Sequence, residues 1–184
     1  EVIVINDGSE DATLERLRQA FELLPVRAPA GGALPTARVR GVHRSLEHPG
    51  LTVIDKERGG KSDALNAGIN AARHPVFCTV DADSILDADA LSRIARVLAE
   101  DPRVVAAGGI IRVLNGARLA AGRVVAGGAP RRPLLLCQGL EYVRAFVAGR
   151  SSLARLDSLL IIAGAFGLFR RDAVVAAGGA RARS

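Results

Sequence analysis

The sequence predicts an α/β fold, an open and mostly parallel sheet with flanking helices, on three observations. Short runs rich in β-branched and apolar residues recur at 2–5, 51–54, 76–80 and 104–113, the pattern of buried strands. Between them lie stretches with apolar residues at helical spacing, as on the inner face of a covering helix. The alternation of strand and helix implies crossover connections, which make neighbouring strands parallel.

Residues 2–5 (Val-Ile-Val-Ile) read as a fully buried strand, and Asn6-Asp7-Gly8-Ser9 as a turn. A helix follows, with Ser9 or Asp11 as cap and Leu14, Leu17, Phe21 and Leu24 on one face. Residues 25–50 hold Pro25, Pro29, Gly31, Gly32, Pro35 and Pro49, and so read as a long irregular connection. Residues 51–54 are a second strand. A helix over 61–73 turns Ala64, Leu65, Gly68, Ile69 and Ala72 inward. The third strand, 76–80, ends on Asp81-Ala82-Asp83. Asp87 caps a helix with Leu91, Ile94, Ala95 and Leu98 on one face, and 104–113 is a strand interrupted by Gly108-Gly109.

Beyond residue 115 the pattern loosens. A breaker-rich joint at 127–133 leads to a helix over 134–150, with Leu136, Leu140, Val143 and Val147 on one side and Arg144 and Arg150 on the other. Such a basic amphipathic helix suits either a solvated core or a membrane interface. Residues 159–169 become strand-like at their end, and a short helix follows Arg170-Arg171-Asp172.

Composition bounds the function. The 184 residues, 49% hydrophobic and 24% charged, suffice for one domain with a substantial core. Of the 25 basic residues only Lys56 and Lys61 are lysines, and the arginines are scattered. A nucleic-acid binder clusters its charge beside stacking aromatics, and aromatics here make up 3%. The net charge of +6 suits an anionic substrate or membrane surface instead. Cys78 and Cys137 have neither zinc-site nor disulfide-framework spacing, which fits a reduced intracellular setting. The longest uncharged apolar stretch, 158–169, falls short of the about 20 residues that a membrane span needs. An opening directly on an apolar strand and an end without element closure read as a piece cut from a longer protein.

Three polar clusters each follow a predicted strand: Asp7-Gly8-Ser9, residues 56–61, and Asp81-Ala82-Asp83. Ligands of open α/β sheets sit outside the carboxyl ends of the strands, so the clusters are expected to share one rim. Acidic pairs and a lysine there suit a divalent metal and the phosphates it bridges. In Asp81-Ala82-Asp83, alternate residues of an extended segment would divide labour between a ribose hydroxyl and the metal. A lone D-x-D triplet is common by chance, and Asp7-Gly8-Ser9 alone is also an ordinary turn with a helix cap. Gly60-Lys61-Ser62 is the tail of a P-loop, but the leading glycine is replaced by Asp55, so that reading fails. What survives is a glycine pair, a lysine opening a helix, and a helix N-terminus that favours anions.

Together, Ile3-Val4-Ile5-Asn6-Asp7-Gly8-Ser9, Gly59-Gly60-Lys61-Ser62-Asp63-Ala64-Leu65-Asn66, Val80-Asp81-Ala82-Asp83 and Gly164-Ala165-Phe166-Gly167-Leu168-Phe169-Arg170-Arg171-Asp172-Ala173 resemble, in order, the motifs of family 2 glycosyltransferases. The match is closest to the membrane-bound type that makes poly-N-acetylglucosamine, hyaluronan or cellulose. The resemblance implies the GT-A fold, truncated at both ends. It implies a nucleotide-sugar-binding part over 1–115 and an acceptor-side part over 116–184. Donor-binding residues would be Asp7, Gly8, Ser9, Lys61, Asn66 and Asp81. Asp83, with Asp81, would bind Mg²⁺ or Mn²⁺, and Gly164, Ala165 and Phe166 would border the acceptor. The implied partners are a UDP-sugar, a glycan acceptor and the membrane of the intact parent, at the cytoplasmic face of a bacterial inner membrane.

Two departures bear on activity. A strand that the family places before the one at 2–5, in the middle of the sheet, is not represented. The family's catalytic base, an aspartate shortly after the Gly178-Gly179 region, is not represented either. The implied reaction inverts the anomeric centre, and the piece alone is expected to bind donor without transferring sugar. A nucleotidyltransferase making a sugar-nucleotide, or a non-catalytic membrane-surface module, remains open as an alternative.

Overall fold

The computed structural model describes residues 1–28, 31–120, 123–128, 132–156, 161–162 and 164–181. In chain order the elements are β1 (Val2–Asp7), α1 (Thr13–Phe21), β2 (Leu23–Val26), β3 (Val39–Ser45), β4 (Leu51–Lys56), α2 (Lys61–Ala71), β5 (Val76–Val80) and α3 (Ala90–Glu100). They continue with β6 (Ala106–Gly108), β7 (Arg118–Ala120), β8 (Arg123–Ala126), α4 (Pro133–Val143), a π-helical segment (Arg144–Arg150), α5 (Ser151–Arg155), β9 (Phe166–Arg170) and α6 (Arg171–Ala176). They form an α/β fold of open sheets with flanking helices, grouped in two compact units, Glu1–Phe77 with Arg170–Ser184 and Cys78–Phe169. Residues 115 and 116 both lie in the second.

The first sheet has the order β1-β4-β3-β2. β1 and β4 are parallel, and their register sets Asp7 beside Lys56 at the carboxyl ends. β3 runs antiparallel to both β4 and β2, so the sheet is mixed. The connection expected to be irregular at 25–50 thus contains β3 and the end of β2. Proline and glycine density conceals β3, whose pairing partner β4 supplies the order that local propensity does not. The core gathers on β4, where Val53 and Ile54 are 0% and 3% exposed, and takes Leu23, Val42, Ala67 and Ile69 from its neighbours. α2 packs on β1, where a methyl group on Gly68 would lie 3.1 Å from the Ile5 side chain.

Two further expectations change in this unit. β1 is half-buried rather than fully buried, with Val2 60% exposed, because it lies at an edge of its sheet. In α1, Leu14, Leu17 and Phe21 are half-buried as a shared face requires, but Leu23 is buried and Leu24 exposed. Glu22 at φ 44° ends the helix, and the strand period takes over from there.

The second sheet has the order β5-β9-β6, and β6 and β9 are antiparallel. The strand expected over 104–113 is confined to β6. The ladder bonds end at Gly108-Gly109, and Val105 and Ile110 stand exposed. α3 buries Ile94 and Leu98, while Leu91 is 50% exposed. The hairpin of β7 and β8, short and largely exposed, was not expected from periodicity.

The helix expected over 134–150 is divided. α4 gives way to the π-helical segment, whose wider turn shifts the side-chain period. Leu136, Leu140, Val143 and Val147, expected on one side of a helix that suits a core or a membrane interface, are exposed, and Phe146 is buried. The Arg150 guanidinium lies 4.2 Å from the centre of the Phe146 ring. Of the expected joint at 127–133, residues 129–131 lie outside the described residues. So do 158–160 and 163 of the late apolar run, and the terminal residues 182–184.

Candidate functional site

Within the first unit, the ends of β1 and β4 and the start of α2 bring together residues that are far apart in sequence. The Asp7 carboxylate accepts three hydrogen bonds, from Lys56 Nζ at 2.6 Å, Gly59 N–H at 2.9 Å and Gly60 N–H at 2.7 Å. Gly60 caps α2, so Asp7 occupies that helix's N-terminus, where oriented amides favour negative charge. The anion site expected at Lys61 is therefore filled, at its cap, by the protein's own carboxylate. Lys61 itself is the exposed first residue of α2.

Lys56 is the organising cation. It is 0% exposed, and its ammonium also lies 2.5 Å from Asp63 Oδ1 and donates to the Glu57 carbonyl at 2.6 Å. Burial by itself would lower the Lys56 pKa, but the bonds to Asp63 and Asp7 outweigh it and hold the ammonium above its ordinary value. Burial by itself would raise the Asp7 carboxyl, and the Lys56 ammonium with the two glycine amides pushes it below the usual carboxylate range. Both groups stay charged across the neutral range.

The neighbouring turn is tightly held. Gly8 has φ +69°, and a methyl group on it would lie 2.8 Å from Arg58 N. Only glycine meets both the conformation and the close approach. Asn6, 4% exposed, donates to Asp55 at 2.7 Å and accepts from Ser9 N–H at 3.4 Å, which fastens the exposed Ser9. Arg40 bridges Asp55 Oδ1 and the Lys56 carbonyl at 3.2 and 2.8 Å.

Asn66 has a different occupation from the one expected of it. It is 4% exposed, and its carboxamide bonds the main chain of Ala180 and Pro35. Those contacts turn its side chain into the protein.

In the second unit, Asp81 N–H donates to the Ala165 carbonyl at 3.2 Å, which joins the acidic triplet to the segment entering β9. Asp81 is half-buried, and Ala82 and Asp83 are exposed. The triplet is not the extended segment that the sequence suggested. Ser84 N–H closes on the Asp81 carbonyl at 3.0 Å, a β-turn, so strand alternation does not orient the carboxylates. Gly164 is exposed and Ala165 half-buried, but Phe166 is 8% exposed and packs against Gly109. Its ring is core. Among the described residues no cluster of three or more His, Cys, Asp or Glu side chains is placed to hold a metal.

Of the stretch 56–61, Lys61 is the lysine expected at the site, whereas the buried Lys56 is the one that meets Asp7. The available signal was Asp55-Lys56, a charged pair closing an otherwise apolar strand. Its partner Asp7 is 49 residues away.

Comparison with known proteins bears on this arrangement. The family model "Glycosyl transferase family 2" matches residues 1–175, nearly the whole chain. The chain belongs to glycosyl transferase family 2. Among individual relatives, the family 2 chain is 27% identical over 179 residues to poly-beta-1,6-N-acetyl-D-glucosamine synthase of Staphylococcus aureus (strain COL), covering 97% of this chain and 34% of that protein. The synthase of the same name from Staphylococcus epidermidis is 24% identical over 175 residues, covering 95% and 33%. The chain thus spans about a third of the length of these relatives. No helix among its described residues is long and apolar enough to cross a membrane.

Proposed function

We propose that this family 2 chain is the donor-binding part of a glycosyltransferase that uses a nucleoside diphospho-sugar with a divalent metal. The single observation that carries the reading is the Asp7 carboxylate, charged and held rigidly at a strand end. An ionised carboxylate has about four acceptor positions, and the three internal bonds leave one for an outside donor. A pyrimidine imide N–H or a ribose hydroxyl supplies such a donor. Gly8 and Ser9 border it. Lys61, in the first turn of α2, offers the phosphates a cation.

Asp81 and Asp83 take the metal in this reading. Mg²⁺ is commonly held by one or two carboxylates, substrate phosphates and waters, and a half-buried and an exposed carboxylate on one turn fit that donor set. Mn²⁺ accepts the same hard oxygen ligands. When bound, the metal offsets diphosphate charge as the leaving group departs. Ala165, whose carbonyl accepts from Asp81 N–H, and its neighbour Gly164 are proposed to border the acceptor. The relatives are named as synthases of poly-beta-1,6-N-acetyl-D-glucosamine, which supports N-acetylglucosamine as the sugar and a growing glycan as acceptor. The reaction would invert the anomeric centre through an oxocarbenium-like transition state.

Calorimetric titration of UDP with and without Mg²⁺ or Mn²⁺ tests this reading. Metal-dependent binding that Asp83→Ala abolishes is the expected result. Unchanged affinity in that variant, or turnover of UTP with a sugar phosphate, would overturn the assignment, the second result in favour of a nucleotidyltransferase.

Exposed apolar side chains on the helical stretch support contact with a membrane surface. Leu134, Leu140, Val143 and Leu156 are 79%, 69%, 56% and 73% exposed, and Arg144 lies among them. Flotation with anionic liposomes should depend on Leu134 and Leu140. Equal flotation after both are changed to serine would count against that contact.

A further inference from the structure

Asp63, Asn66 and Asn70 lie on one face of α2, at i, i+3 and i+7. All three bond the main chain of the loop at 34–37. Asp63 accepts from Ala37 N–H at 2.8 Å, and Asn66 donates to the Pro35 carbonyl at 3.3 Å. Asn70 takes both the N–H and the carbonyl of Leu34, at 3.0 and 2.8 Å.

Asn66 also reaches a second segment. Its Oδ1 accepts from Ala180 N–H at 2.8 Å, and its Nδ2 donates to the Ala180 carbonyl at 3.1 Å. A carboxamide matched to both polar groups of one residue fixes the position and direction of the backbone there, as a sheet neighbour would. The preceding turn brings Ala180 to it. Gly178 N–H bonds the Val175 carbonyl and Gly179 N–H the Val174 carbonyl, at 3.0 and 2.9 Å, which ends α6 in a Schellman motif. Gly179 has φ +78°, and a methyl group on it would lie 2.6 Å from Asn66 Oδ1 and 2.8 Å from Leu34 side-chain carbons. Three segments therefore meet on one buried amide.

We propose that Asn66 is a positioning residue for sugar transfer, one that fixes the loop at 34–37 and the course of the chain leaving Gly179 against α2. The proposal rests on the glycosyltransferase reading given above. Asn66 acts through these segments without touching the donor. It stands five residues beyond Lys61, about 7.5 Å along the helix axis at 1.5 Å per residue. Its loss should therefore weaken the transfer step while leaving donor binding intact.

The test compares wild type, Asn66→Ala and Gly179→Ala in the full-length protein, with UDP and the UDP-sugar as probes. Gly179→Ala disturbs the same meeting point with Asn66 still in place, so it covers a folding failure of the alanine variant. A displacement of about 1 Å can cost about 10²-fold in rate. The expected result is a kcat loss of that order in both variants, with UDP affinity and donor KM unchanged within about twofold. Amide exchange should speed at Ala180 and stay slow at Leu34, which Asn70 holds. Retained kcat in a variant whose Ala180 amide has become fast-exchanging would overturn the proposal. So would a KM for donor that rises in step with the rate loss, because Asn66 would then be contacting donor. A wild type that neither binds UDP nor transfers sugar would sink the underlying reading instead, while Ala180 exchange would still report on the clamp.

Discussion

Replacing Lys56 with methionine keeps an unbranched side chain, one atom shorter, and removes its charge. Lys56 is wholly buried, whereas Asp7 and Asp63 each keep 23% of their side-chain surface exposed. Removing one partner of a buried ion pair costs about 3–5 kcal/mol, because the other charge is left uncompensated. Partial hydration of both carboxylates places the expectation at the lower end, about 3 kcal/mol. In a chain of this size about 1 kcal/mol moves Tm by about 2–4 °C, so the variant should melt about 6–12 °C lower. Thermal melts at neutral pH, followed by circular dichroism, measure this for Lys56→Met, Asp63→Asn and the double variant. The cycle should show coupling of about 1–3 kcal/mol between the two positions. The Asp7 carboxyl, followed by carbon NMR, should rise toward its ordinary value of 3.8 once the ammonium is gone. A melting point within about 2 °C of wild type, with additivity to within about 0.5 kcal/mol, would refute the reasoning.

Four further outcomes are expected. Gly8→Ala forces a side chain into φ +69° against Arg58 N, and should cost about 1–3 kcal/mol in chemical denaturation, with loss of UDP binding. Burial, together with the Arg18 guanidinium, holds the His43 imidazole below its ordinary value of 6.5. The unfolded chain binds that proton first, so stability is full above pH 6.5 and falls as the pH drops from there through the lower folded value. His43→Gln should remove that limb from a stability-against-pH curve. Asp7, lowered in the fold, contributes stability that is present above 3.8 and lost as the pH falls through its lower folded value. Lys56, raised in the fold, contributes stability that is present below 10.5 and lost as the pH climbs through its higher folded value. Lys56→Met should remove this alkaline limb.

Local patterns carried much of the fold. The β-branched runs at 2–5, 51–54 and 76–80 became β1, β4 and β5, because burial and strand propensity act within a few residues. Gly60 followed by a lysine marked the start of α2 correctly, and the motifs of the chain identified its family. β3 stayed hidden because its sequence, Val-Arg-Gly-Val-His-Arg-Ser, has little apolar alternation and takes its order from β4. Phe146, in the π-helical segment, is buried where the helical reading groups Leu136, Leu140, Val143 and Val147, because which face is covered depends on packing rather than on the period of one helix.

Residue types and their order along the chain decided which chemistry is available: carboxylates, a glycine pair, and lysines at a strand end and a helix start. Tertiary structure alone decided which of these groups meet. The register that sets Asp7 beside Lys56, and the fold that returns Ala180 to Asn66, join residues 49 and 114 positions apart. Contacts over such separations depend on how whole strands and helices pack, and no local spacing encodes them.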